Sequence, residues 1–242
     1  MLFILVFFAG TIAGFLNVVA GGGSMITLPM LTTLGMGIDV ANGTNRIAIL
    51  LQNLVAIHRF RKKNVLNAKR AFFLSIPTLF GAILGSFIAI QIERDLLERV
   101  VGIMLLTMAV FLVWKPKLWL EERKSSENVF LKTLIFFLIG IYGGFIQAGV
   151  GFLLILGITL MEGTNLVKTN AIKVFIVAVY TVFSLLIFLI GRKVDLLAGA
   201  ILSLGNMTGA VFGAKFTVEK GSNWIRWIVF FAVVISSIRY IF

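Results

Sequence analysis

The first charged residue in this chain is Asp39. Nothing from Met1 to Ile38 requires water, and about 20 apolar residues already span a bilayer core. Two further runs, Thr133 to Met161 and Val174 to Gly191, are equally free of charge. The first run lacks a basic start and has no clear small-residue cleavage site before Asn17, so it reads as a retained helix and not as a secretion signal. With 60% hydrophobic and 13% charged residues over 242 positions, the chain is expected to use lipid as its solvent.

The net charge of +12 is gathered into short segments between the apolar runs. Arg59, Arg61, Lys62, Lys63, Lys69 and Arg70 form one cluster, and Lys115, Lys117, Arg123, Lys124 and Lys132 form another. Basic loops of this kind mark the cytoplasmic side of a membrane protein, so no nucleic acid partner is expected. The chain has no cysteine and a single histidine, His58 beside Arg59 at a helix end, which leaves no thiol nucleophile and no metal site. All ten Asp and Glu fall at span ends or in loops, which argues against an intramembrane protease and a buried carboxylate relay. No enzyme, catalytic residue, metal or cofactor is expected.

Charges and Gly/Pro/Asn clusters divide the chain into about eight transmembrane helices, near 2–20, 41–58, 71–92, 96–114, 131–150, 168–190, 196–215 and 223–242. With the 59–70 loop inside, alternation puts both termini and Arg192–Lys193 in the cytoplasm, and Asp39, Glu93, Asp95, Glu98, Glu162 and Glu219 outside. An inner, plasma-membrane location follows. Two glycine-dense uncharged stretches, one after each half's first helix, exceed what one span needs. They are expected to be broken or re-entrant segments lining a cavity.

Those stretches belong to a repeat. Ala20-Gly21-Gly22-Gly23-Ser24 resembles Ala148-Gly149-Val150-Gly151-Phe152, and Gly81-Ala82-Ile83-Leu84-Gly85 resembles Gly209-Ala210-Val211-Phe212-Gly213, each 128 residues on. Gly14-Phe15 echoes Gly144-Phe145 near that spacing. The fold expected is therefore an all-α integral membrane protein of two four-helix repeats, residues 1–114 and 131–242, joined by a cytoplasmic linker at 115–130. Four spans per half would make the copies parallel, related by an axis along the membrane normal. The Gly-x-x-x-Gly stripes read as helix-packing surfaces.

Thr44-Asn45-Arg46 and Thr169-Asn170-Lys173 sit at the starts of the second and sixth spans, and these are paired here, although Gly163-Thr164-Asn165 offers a rival match. Thr and Asn there can cap a helix N-terminus, an end that also attracts anions. Arg46 and Lys173 lie about a turn inside apolar spans with no acidic neighbour; they either reach the interface or face a bound oxyanion. Asn17, Ser24 and Gln147 flank the glycines, and Gly22, Gly23, Gly149 and Gly151 either pack closely or let backbone N–H groups converge on a ligand. With Asn45 and Asn170 these make the expected substrate-binding set.

Together these segments, from Ala13-Gly14-Phe15-Leu16-Asn17 through Pro29 to Asn42-Gly43-Thr44-Asn45-Arg46, and from Tyr142 through Phe152 to Thr169-Asn170-Ala171-Ile172-Lys173, resemble the two signatures of the sulfite exporter TauE/SafE family. The resemblance covers nearly the whole chain. It implies a duplicated permease in the lipid bilayer, and a sulfur-containing anion such as sulfite or an organosulfonate as cargo, exported by alternating access. An anion channel with the same basic lining is the alternative.

Overall fold

The computed structural model describes the backbone of residues 2–90 and 124–241. The expected span at 96–114 and most of the 115–130 linker lie outside the described residues. Among those described there are eight helices: α1 (Leu2–Val19), α2 (Ser24–Thr33), α3 (Ile38–Lys62), α4 (Ala68–Ala89), α5 (Val129–Phe145), α6 (Val150–Glu162), α7 (Leu166–Ile190) and α8 (Leu196–Ile241). Asn67, Asn128, Asn165 and Asp195 accept the backbone N–H three residues on, and so fix the starts of α4, α5, α7 and α8. Gly221, with φ 71° and ψ −174°, bends α8 between the two spans read there from sequence. Ala68–Ala89, Leu166–Ile190 and Leu196–Phe231 are long and apolar enough to cross a membrane.

α3 and α7, 25 residues each and about 37 Å long, run antiparallel. A Cβ on Gly43, near the start of α3, would meet the Lys193 carbonyl just past the end of α7. Phe60, near the end of α3, shares a core cluster with Ala171 and Val174 at the start of α7. One face of the bundle is held by an ion pair from Lys193 to Asp39 (2.5 Å) and by Asp195 N–H donating to Thr44 Oγ1 (2.8 Å). The other carries the basic loop after α3, where Glu162 pairs with Arg70 (3.1 Å) and Lys132 (2.6 Å).

The glycine-dense stretches are the tips of two helical hairpins. α5 leaves the basic face and stops inside the bundle at Phe145, and α6 returns to that face at Glu162. There the Ser126 N–H donates to the Met161 carbonyl (2.9 Å) and ties the hairpin's two ends. α1 begins at the opposite face. It runs parallel to α8, with Gly205, Gly209 and Gly213 packed on the backbone of Phe7, Thr11 and Phe15 in turn, and α2 brings the chain back to that face before α3. The stripes therefore do what was expected of them. On the other side of the molecule, Gly81 and Gly85 of α4 meet the carbonyls of Phe137 and Ile141 of α5.

Each hairpin returns to the face from which it starts, which corrects the grouping of faces read from charge. The chain's start and Arg192–Lys193 lie on the face opposite the 59–70 loop, and Glu162 lies on the same face as that loop. α3 and α7 match in length, start 128 residues apart and point in opposite directions, so these two helices are not the parallel copies expected from four spans per half. Left-handed backbone recurs at the same spacing, at Gly21 and Gly149, Gly35 and Gly163, Asn64 and Arg192.

Candidate transport site

A helix that ends inside a membrane leaves its last four carbonyls without partners, and each costs several kcal/mol in hydrocarbon. In α5 all four are met. Tyr142 O accepts from Ile146 N (2.8 Å), Gly143 O from Arg46 Nη1 (3.4 Å), Gly144 O from Arg46 Nη2 (2.6 Å), and Phe145 O from Asn42 Nδ2 (2.9 Å). α1 is closed in the same way. Leu16 O accepts from Ala20 N (2.7 Å), Asn17 O and Val18 O from Lys173 Nζ (2.8 and 3.0 Å), and Val19 O from Asn170 Nδ2 (2.8 Å). α3 thus caps the hairpin of the other half, and α7 caps the hairpin of the first.

This pairing fixes the register between the halves. Asn42 corresponds to Asn170 and Asn45 to Lys173, so neither Thr169-Asn170 nor Thr164-Asn165 is the counterpart of Thr44-Asn45. The match of Gly14 with Gly144 also shifts: Gly14 packs on Asn206 as Gly140 packs on Thr78. The caps relate α1 to α5 by 126 residues, whereas Gly21 and Gly149 are 128 apart; the second break is two residues longer. Gln147 occupies the longer break, where it accepts from Arg46 Nη1 (3.1 Å) and donates to the Tyr180 hydroxyl (3.0 Å).

Arg46 is fully buried, with its guanidinium 4.4 Å from the Phe188 ring centroid. Its neutralising partners are carbonyls at the negative end of α5 and not an acid. Lys173, 2% exposed, stands likewise at the end of α1, and its third hydrogen bond goes to Asn170 Oδ1 (2.6 Å). The sequence reading singled out both cations, but their immediate partners are broken helices.

Between the breaks lies a cavity of about 20 Å³, lined by Asn17, Gly21, Ser24, Ile49, Gln52, Asn53, Gln147, Val150, Gly151, Lys173 and Val177. It has room for about one water. α2 and α6 begin at its wall, and neither has a side-chain cap, so the positive ends of two helix dipoles border it. Gly21 and Gly151 meet backbone to backbone where the hairpin tips cross; a Cβ on either would overlap the other.

Of the residues expected to bind substrate, Asn17, Ser24, Gln147, Gly151 and Lys173 line this cavity. Arg46 and Asn170 are caps. Asn45 holds the start of α2, donating to Ser24 Oγ (3.2 Å) and accepting from Thr27 Oγ1 (2.7 Å). Gly22 lies under the Phe152 ring, Gly23 against the Ala13 carbonyl, and Gly149, at φ 77°, supplies the left-handed turn into α6. Gln52 and Asn53 were overlooked. Two adjacent amides inside an apolar span were the signal that could have found them.

Interrupted helices whose broken ends meet around a small cavity with polar side chains in its wall are the build of a membrane transporter. The model of the sulfite exporter TauE/SafE family matches residues 6–240, and the chain belongs to that family. It is 29% identical over 223 residues to a probable membrane transporter protein of Haemophilus influenzae, covering 92% of this chain and 88% of the relative. It is 28% identical to the probable membrane transporter protein ORF9 of a Sinorhizobium species over 96% of this chain and 90% of that one. With the Escherichia coli K12 probable membrane transporter protein YfcA it shares 27% identity over 96% of this chain and 86% of the relative. No solved structure matches the chain.

Proposed function

We propose that this protein exports a small oxyanion, sulfite or an organosulfonate, by alternating access between its two faces. The observation that carries the reading is the small cavity between the uncapped starts of α2 and α6, with the Lys173 ammonium in its wall. Helix N-termini and a cation together favour an anion, and among the described residues no carboxylate lines the cavity. Its volume admits about one water where sulfite needs four heavy atoms, so the cavity has to widen before an anion can enter. Each hairpin enters from a different face. Displacing α1–α2 opens the cavity toward the face of Asp39, and displacing α5–α6 opens it toward the face of Glu162.

The full architecture proposed is two inverted repeats, each a re-entrant hairpin followed by three spans, 1–114 and 131–242, with the basic face cytoplasmic. Under that orientation the chain begins on the outer side. The test is uptake and counterflow in proteoliposomes. Saturable sulfite uptake, accelerated by sulfite on the far side, supports the carrier; uptake linear in concentration, with no counterflow, supports a channel; no anion uptake overturns both.

A further inference from the structure

We infer that Gln52 is the residue whose side chain contacts the carried anion, and that Lys173 acts on that anion through its charge alone. The inference rests on the transport site proposed above and names its ligand. Gln52, on α3 and 1% exposed, lines the cavity. Its Oε1 accepts from Asn17 Nδ2 of α1 (3.3 Å) and from Asn206 Nδ2 of α8 (2.9 Å). Two donors occupy the two lone pairs of that oxygen. Among the described residues, no hydrogen bond takes up the amino group of the same amide, and both of its N–H bonds are free for a ligand.

Lys173 has nothing left to donate. Its three N–H bonds go to Asn17 O, Val18 O and Asn170 Oδ1. Arg46 is not in the cavity wall, and its Nη groups are held by Gly143, Gly144 and Gln147. An anion in the cavity therefore meets the Gln52 amide and the N-terminal ends of α2 and α6, with the Lys173 ammonium in the wall but its N–H bonds already taken. The position equivalent to Gln52, 128 residues on, is Tyr180, whose hydroxyl accepts from Gln147 (3.0 Å). Only one of the two symmetry-related positions thus presents a free amide. Directional N–H donors fit the oxygens of a pyramidal or tetrahedral oxyanion better than a spherical halide of the same charge.

The experiment measures sulfite uptake, with chloride as competitor, in proteoliposomes of wild type, Gln52→Leu, Gln52→Asn and Gln52→Glu, with thermal unfolding of each in detergent. Loss of the amide in Gln52→Leu is expected to raise KM about tenfold, the weight of one hydrogen bond to an ion, and to let chloride compete. Gln52→Asn is expected to fall between, and Gln52→Glu to abolish uptake while still folding. A Gln52→Leu protein with KM and chloride competition unchanged overturns the inference and leaves the transport reading standing. If Gln52→Leu does not accumulate, an unchanged KM in Gln52→Asn is the overturning result. Wild type that moves no anion overturns both.

Discussion

A charge at the centre of a bilayer costs about 3 kcal/mol or more, and Arg46 and Lys173 are tolerated because each closes the negative end of a broken helix. Arg46→Met would strand Gly143 O, leave Gly144 O with only Ser86 Oγ (3.1 Å), and free one side of Gln147. We expect it to lose about 3 kcal/mol of stability, read as a fall in melting temperature in detergent, with Lys173→Met losing a similar amount. Unchanged melting in both would mean that the caps are not needed. At the bundle's edge, Lys193 donates to Asp39 and holds that carboxyl below its ordinary value. A lowered carboxylate pKa stabilises above the unfolded value of about 4, and the benefit is lost as pH falls through the folded value. The Asp39–Lys193 pair should therefore be indifferent to pH between 6 and 8, roughly the physiological range, and open only in stronger acid, which a Lys193→Met comparison of melting against pH would check. At this scale the sequence made the cations and the break amides stand out. It could not reveal their partners, because backbone carbonyls are common to every residue and become special only where a helix stops.

The hairpins set the requirements at the level of elements. Gly21 combines left-handed backbone with contact against Gly151, so Gly21→Ala carries about 1–2 kcal/mol of backbone strain before any overlap is counted. Gly151→Ala adds only the overlap. Both are expected to lower the yield of monodisperse protein, Gly21→Ala more, whereas Ala at Gly35, also left-handed but in open space, should cost only the strain. Size-exclusion profiles of the three would rank them. The paired helices α3, α4 and α7 were legible to within a few residues, because charge and Asn punctuate them. The hairpins were recognisable as breaks, yet their turning back was not, since a re-entrant pair and a crossing helix present the same uncharged run.

For the whole molecule, the absence of cysteine makes single-cysteine labelling clean. Cysteines at Lys62 and Lys168 are expected to react from one side of the membrane, and those at Gly37 and Lys193 from the other. Labelling of Lys62 and Lys193 from the same side would restore the parallel arrangement read from charge. The packing also regroups the chain. α1 and α3 pack with α8, and α5 and α7 with α4, so the packed groups of helices are not the two sequence halves.

The reciprocal caps carry a consequence for origin and for synthesis. A protein of half this length would expose the carbonyl end of its own hairpin to hydrocarbon, and could cover it only with a sister molecule inserted upside down. The ancestor of such a chain would have been an antiparallel pair, able to enter the membrane in both directions. In the ribosome-bound chain, α1 must likewise wait in the bilayer, its end uncovered, until Asn170 and Lys173 have been made.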